Sequence, residues 1–286
     1  HMLAIIAAGQ GSQTPGMLSA WLKDSSLRDT CAAWSDEIGI DLLTLGTTAD
    51  ADQIKDTANA QPLIVAAGLL SFKALGITAS VFAGHSVGEI TAASLANIIS
   101  ETDAMKIVHA RGFEMAKAAA ITPAGMSAVL GGDREAVVAA ITAAGLVAAN
   151  ENGGGQIVAA GELAALAALA ENPPEGARVR SLSVAGAFHT SYMQPAAARM
   201  KSLSSSVTVH DPRTRVISNR DGAVVHSGRA LLDRMIDQIA NPVRWDLCME
   251  TLNELGVTAV IEMPPAGTLV GLIKRALPNV ETLALK

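Results

Sequence analysis

The sequence predicts an α/β fold: a mainly parallel sheet covered by helices on both faces, interrupted by a small inserted unit. Three observations predict it. Apolar runs of strand length alternate with helix-length segments over most of the chain. A glycine-rich turn, Gly84-His85-Ser86-Val87-Gly88, joins a candidate strand to a candidate helix. Residues 126–184 change texture and read β-α-β-β-α-β, the order of a ferredoxin-like unit. Gly125 and Gly186 bracket that stretch. The expected division is therefore a discontinuous large domain, 1–122 and 187–286, with a subdomain at 123–186.

In chain order, residues 3–8 form a continuous apolar run and predict a buried first strand. The loop Gly9-Gln10-Gly11-Ser12-Gln13 follows; glycines on either side of Gln10 let backbone approach a ligand closely, or simply make a turn. Residues 21–38 are weakly helical and 50–57 polar. Pro62 suits a first helical turn, so a helix over 63–75 is expected, ending near Gly76. Residues 81–83 are the strand before the Ser86 turn, and good helix formers follow Glu89. Ser100 and Asp103 start the next helix in the manner of a capping box.

Within the insert, strands are expected at 126–130, 146–149, 157–160 and 179–184, with helices at 133–144 and 163–170. The segment 150–156 falls between two of those strands. Beyond it come a strand at 215–218, a helix at 231–239 stopping before Pro242, and a helix carrying Trp245, Cys248, Met249 and Leu252. A strand at 257–263, a break at Pro264-Pro265, a helix at 268–277 and a short strand at 281–285 complete the pattern.

Half of the 286 residues are hydrophobic and only 3% aromatic, so the core is built of Ala, Val, Leu and Ile. No 18 apolar residues run together, and no basic-then-apolar leader opens the chain; neither a membrane partner nor secretion is expected. His1-Met2 reads as an expression scar. Cys31 and Cys248 lie far apart without metal-ligand spacing, which fits two reduced thiols in a cytoplasmic protein and no metal site. The net charge of −6 argues against nucleic acid. That charge is uneven. Residues 1–177 hold 8 Lys+Arg against 18 Asp+Glu, a net −10; residues 178–286 hold 13 against 9, a net +4. The C-terminal part either presents a basic face to an acidic partner or is ordinary solvated surface.

Three residues carry the chemistry. Ser86, at the centre of G-x-S-x-G between strand and helix, sits where a sharp turn exposes a hydroxyl above a sheet. The helix beginning behind it aims free N–H groups at charge developing on that hydroxyl's target. Arg111 shares a helix face with Ala104, Ile107, Val108 and Met115. A guanidinium there is costly unless paired. Spacing alone leaves open a structural ion pair, a head group reaching water, or a clamp for an anionic substrate. His189, in Gly186-Ala187-Phe188-His189, stands where the insert returns to the large domain. His85 is beside the serine in sequence, so its side chain should point elsewhere on the turn.

These motifs come in the order and spacing of one family. With Thr57-Ala58-Asn59-Ala60-Gln61-Pro62 and Asn241-Pro242-Val243-Arg244-Trp245, the chain resembles the malonyl-CoA:acyl carrier protein transacylases, including acyltransferase domains of polyketide and fatty acid synthases. The resemblance covers nearly the whole chain and implies a large α/β-hydrolase-like domain with a ferredoxin-like subdomain. Members continue beyond this chain's last residue, so a further C-terminal helix is expected.

The resemblance implies Ser86 as nucleophile and His189 as general base, the latter oriented by the backbone carbonyl of Gln238. It implies an oxyanion hole from the backbone N–H groups of Gln10 and Val87, and Arg111 as the holder of the malonyl carboxylate. Phe188 and Val87 resemble the malonyl-selective pattern, Phe188 crowding an α-methyl branch or else merely packing the domain junction. Asn150 and Asn152 resemble a family asparagine pair lining the cleft, although asparagines in a tight turn are common without function. The implied substrates are malonyl-CoA and phosphopantetheinylated acyl carrier protein, with no bound cofactor, and a monomer as the working form.

Two other functions compete. A serine hydrolase or thioesterase would place an acid and then a histidine near the C-terminus, and it gives Arg111 no role. An idle carrier-protein-binding module would not need Ser86, His189 and Arg111 together.

Overall fold

Residues 2–286 are described in the computed structural model; His1 of the expected scar lies outside them. The chain opens with β1 (Leu3–Ala7), buried on both sides as a central parallel strand must be. Four helices follow: α1 (Ser25–Ile38), α2 (Leu42–Thr47), α3 (Ala51–Lys55) and α4 (Thr57–Leu75). Next come β2 (Val81–Gly84), α5 (Gly88–Leu95) and α6 (Glu101–Ala119). The middle of the chain is β3 (Gly125–Gly131), α7 (Arg134–Ala143), β4 (Val147–Gly153), β5 (Gln156–Gly161), α8 (Leu163–Glu171) and β6 (Ala177–Ser181). The remainder is α9 (Gln194–Ser205), β7 (Arg215–Ile217), α10 (Gly228–Gln238), β8 (Val243–Arg244), α11 (Trp245–Glu254), β9 (Ala259–Met263), α12 (Thr268–Ala276) and β10 (Glu281–Ala284).

The larger sheet has the order β10-β9-β1-β2-β7, and every pair in it is parallel. Its two faces feed different cores. Ile5, Phe82 and Val216 join the cluster built on α1, α4 and α6, while Ala4, Ile6, Val81, Ala83 and Ile217 pack under α11 and α12. That is the two-sided burial predicted from strand–helix alternation. Helix α4 is long and apolar enough to cross a membrane by length and composition, but residues 60 to 71 are all buried within the protein and α6 packs along it.

The smaller sheet has the order β6-β3-β5-β4-β8. Its first four strands are antiparallel neighbours in the ferredoxin-like arrangement. One face is covered by α7 and α8 through Val129, Val137, Ile141, Ile157 and Leu166. The other, with Met126, Val158 and Ala160, closes on the large core. Strand β8 comes from the C-terminal part and pairs parallel with β4, Asn150 opposite Val243 and Glu151 opposite Arg244. A charge cluster reinforces this seam: Glu151 takes Arg134 at 2.7 Å and Arg244 at 3.3 Å, and Arg244 also holds Asp246 at 3.0 Å.

Several elements differ from expectation. Helix α4 begins at Thr57, capped by the Asp56 carboxylate on Ala58 N–H, so Pro62 lies inside it and not in its first turn. The polar stretch 57–61 hid that start. Strand β4 runs through the segment read as a connection, with register shifts between Ala148 and Asn150 and between Glu151 and Gly153. Asn150 and Asn152 are therefore strand residues, and the turn is Gly154-Gly155, both at positive φ. Helices α2, α3 and α9 and strand β8 are not among the expected elements.

Candidate active site

Ser86 sits between the end of β2 and the start of α5, with φ at +55°, the left-handed region that a serine avoids unless held there. Two glycines make the turn possible. A Cβ at Gly84 would overlap the Gly88 backbone, and one at Gly88 would overlap the Ala7 carbonyl of the neighbouring strand. The amide of Asn219, just past β7, staples the turn from behind. Its Oδ1 accepts from Ser86 N–H at 2.8 Å and its Nδ2 donates to Gly84 O at 2.6 Å. Asn219 N–H in turn donates to the Glu89 carboxylate at 3.0 Å.

His189 reaches the same point from the other side, also at positive φ, +62°. Its Nδ1 lies 2.8 Å from the Gln238 backbone carbonyl and its Nε2 lies 2.8 Å from Ser86 Oγ. A carbonyl can only accept, so Nδ1 carries the proton and Nε2 presents its lone pair to the serine hydroxyl. Gln238 is itself pinned: its side-chain amide donates to Asn241 O at 2.9 Å and to Pro242 O. Burial above all, and then the Arg111 charge, press the His189 imidazole down to about 3. It is a neutral base at any ordinary pH.

Arg111 is 4% exposed and, among the described residues, forms no salt bridge. Its head group does not reach water, and no acid is in direct contact with it among the described residues. Its Nη1 donates to Gln61 Oε1 at 2.8 Å and its Nη2 to Ser86 Oγ at 3.3 Å. Burial pulls its pKa down to about 10, opposed by the charge of Glu89. Glu89 is buried behind the Ser86 turn and pushed up to about 7 by desolvation, against the Asn219 hydrogen bond and the charges of Arg111 and Arg234.

A cavity of about 90 Å³ opens on Ser86 and His189; Gln10, Gln61, His85, Val87, Met115, Asn150 and Phe188 are among the other residues that line it. It opens on one side to a space of about 250 Å³ along the Gly9–Ser12 loop, Asn152, Arg180 and Thr268. A larger cavity of about 630 Å³ between α10 and β4 touches Gln238 but not Ser86.

The structure brings Ser86, His189, Gln238, Arg111, Gln10, Val87, Phe188 and Asn150 to one place. The backbone bonds of the turn run from Gly88 N–H to His85 O and from Glu89 N–H to Ser86 O, leaving the Val87 N–H outside them. Asn150 keeps a buried Oδ1 with no partner among the described residues. Asn152 is set back. Its Oδ1 accepts from His85 Nε2 at 2.8 Å and its Nδ2 donates to Gln156 Oε1 at 2.8 Å, which holds His85 in the wall of the same cavity as Ser86. Gln61, Glu89 and Asn219 were missed. Gln61 stood in the quoted Thr57–Pro62 motif, but the misplaced helix start hid its direction. Glu89 and Asn219 carry no local signal, because 130 residues separate them.

The chain matches the family model for the acyl transferase domain over residues 5–285. It is 51% identical to the malonyl CoA-acyl carrier protein transacylase of Mycobacterium tuberculosis, covering all of this chain and 96% of that protein. Among solved structures it superposes on MCAT from Mycobacterium tuberculosis with a TM-score of 0.96 at 51% identity, over 100% of this chain and 96% of that one. It also superposes, with a TM-score of 0.92 at 29% identity over 100% and 96% of the two chains, on a malonyl-transacylase in complex with its type II PKS acyl-carrier protein.

Proposed function

The chain belongs to the acyl transferase domain family, and from that premise we propose how it moves a malonyl group from coenzyme A to the phosphopantetheine thiol of acyl carrier protein. It is an acyltransferase serving fatty acid or polyketide synthesis, with malonyl-CoA and the carrier as substrates and no cofactor. The observation that carries the mechanism is the chain of contacts Gln238 O, His189, Ser86, Arg111.

Ser86 Oγ attacks the thioester carbonyl as His189 Nε2 takes its proton. The charge on the tetrahedral oxygen falls between the N–H groups of Gln10 and Val87, donors that are worth most in the transition state. Coenzyme A leaves as its sulfur takes the proton from His189. The carrier thiol then gives its proton to His189 and attacks the malonyl-serine ester, and Ser86 recovers its hydrogen. Arg111, buried and with no acid in direct contact among the described residues, receives the free carboxylate of the acyl group through a two-pronged hydrogen bond. Asn150 closes the cavity wall, and its free Oδ1 is the acceptor left for the substrate.

Phe188 limits the acyl group. It is 7% exposed, and its ring packs where a Cβ on Gly186 would stand. Phe188→Ser should raise the ratio of methylmalonyl to malonyl transfer by about 10- to 200-fold in kcat/KM, the range a methyl group commands in an apolar pocket. An unchanged ratio would assign Phe188 to packing alone. In this reading residues 1–122 and 187–286 form the catalytic unit and 123–186 the inserted subdomain. The enzyme works in the cytoplasm as a monomer, a reading supported by a site assembled from one chain.

The test is intact-protein mass spectrometry after brief incubation with malonyl-CoA alone. The native chain should gain one malonyl group, Ser86→Ala none, and added acyl carrier protein should strip the adduct. Free malonate without an adduct would point instead to a hydrolase.

A further inference from the structure

We propose that Glu89 is the buried counter-charge of Arg111 and takes up a proton from solvent when an anionic acyl group arrives beside that arginine. The inference rests on the malonyl reading given above. It begins from a count of buried charges. Arg111 and Glu89 are each 4% exposed, and a chain of hydrogen bonds links them through the Ser86 turn: Arg111 Nη2 to Ser86 Oγ, Ser86 N–H to Asn219 Oδ1, and Asn219 N–H to the Glu89 carboxylate. Arg111 has no acid in contact among the described residues, and Glu89 is the charge that supports its ionised form. The protein alone therefore places one buried cation beside one buried carboxyl group that titrates near neutrality.

A malonyl carboxylate on Arg111 adds a second anion to that pocket. An uncompensated buried charge is expensive, and a group that can neutralise does so. Each group facing Glu89 has a defined place. Arg111 comes from α6; Arg234, from α10, already holds Asp221 at 2.8 Å. Asn219 N–H donates to the carboxylate at 3.0 Å, a bond that survives protonation because the acceptor oxygen remains. Cys248, from α11, is a thiol that burial keeps neutral.

The competing proton acceptor is His189, which also stands beside Arg111. Burial puts His189 near 3 and Glu89 near 7, so at neutral pH the carboxyl is poised to change and the imidazole is not. Chemistry agrees with that order. A proton on His189 Nε2 would occupy the lone pair that must receive the Ser86 hydrogen. A proton on Glu89 restores neutrality and leaves the base free, while Asn219 still holds the turn.

The experiment is calorimetry at pH 7 in two buffers of different ionisation enthalpy, titrating Ser86→Ala protein with malonyl-CoA and, separately, with acetyl-CoA. The two ligands share every phosphate and differ in the free carboxylate. A carboxyl half-protonated at pH 7 whose pKa rises by one unit takes up about 0.4 of a proton. Malonyl-CoA should show that excess over acetyl-CoA, and the added substitution Glu89→Gln should abolish it. Equal uptake by both ligands, or an excess that survives Glu89→Gln, overturns the inference. If Glu89→Gln does not fold, a pH series on the parent decides: the excess must peak at about pH 7.5 and fade toward about pH 5 and pH 9. An excess without that maximum overturns the inference as well. Mass spectrometry of the native chain separates the two claims. An adduct without excess uptake removes this inference alone; no adduct removes the malonyl reading and this inference with it.

Discussion

Arg111 shows how much a residue's meaning depends on what is absent around it. Helical spacing put it on an apolar face, where it could have been an ion pair, a surface residue or a clamp. Its burial, its lack of an acid in contact among the described residues and its 3.3 Å approach to Ser86 Oγ fit the clamp of the proposed reaction. Removing a guanidinium that holds a buried charge costs about 2–5 kcal/mol. Arg111→Ala should therefore lower kcat/KM for malonyl-CoA by about 30- to 5,000-fold. Acetyl-CoA, which has no carboxylate to lose, should suffer far less. Steady-state kinetics with both donors reads the difference directly, and an equal loss would mean that Arg111 supports the Ser86 geometry and not the substrate.

At the scale of elements, the site is a meeting of segment ends: the turns after β2 and β7, the segment after β6, the carboxyl end of α10 and one face of α6. Parallel strands deliver their turns to a common edge, which is where an open α/β sheet collects its ligands. Asn219 is the clearest product of that arrangement. Asn219→Ala leaves the Ser86 N–H and the Gly84 carbonyl without partners, at about 1–3 kcal/mol for each unsatisfied group. The expected result is a lower denaturation midpoint together with a fall in kcat larger than any change in KM, because the serine loses its hold at φ +55°. A stability loss with kcat intact would make Asn219 a purely structural residue.

The same elements mark how far the sequence could be read. Ser86, His189 and Arg111 stood out because each broke a local pattern: a glycine pair, a domain junction, a charge on an apolar face. The strand order within the insert followed from turn spacing. Asn219, Glu89 and Gln61 broke no pattern, since an asparagine after a short strand or a glutamate in a first helical turn is ordinary. Their importance comes only from β2 and β7 lying side by side and α4 starting a turn and a half early. Strand β8 is two residues long and gains its identity wholly from pairing with β4.

Over the whole molecule, two sheets face one cleft, and the smaller one carries charge toward it. Arg180 lies in register with Ala128, Val158 and Asn150 along the cleft-facing side, and Arg178 lies two residues along the same strand. Both arginines are exposed on this edge strand, and Arg180 also lines the space leading to Ser86. Arg199 is apart from them on α9, packed with α6 and α10. The basic C-terminal portion thus has two separate exposures. Arg178→Glu should raise KM for acyl carrier protein several-fold and steepen no dependence on malonyl-CoA, whereas Arg199→Glu should do so only if the carrier also reaches α9. Equal effects of Arg178→Glu on both substrates, or none, would remove the edge of β6 from the docking surface.

The carbonyl behind His189 has a consequence for which nucleophile can finish the reaction. A carboxylate at that place would stabilise the imidazolium and make a strong base, able to draw a proton from water. A backbone carbonyl gives orientation with little charge. Such a weak base can still serve Ser86, whose hydroxyl is held 2.8 Å from it, but among acceptors that arrive from solution it favours a proton that is already loosely held. A thiol, with a pKa of about 8.5, qualifies, and water, at about 15.7, does not. The acyl-serine ester is then patient toward the solvent around it and responsive to the arriving carrier, so the difference between transferring and wasting the group is written in the acidity of the acceptor.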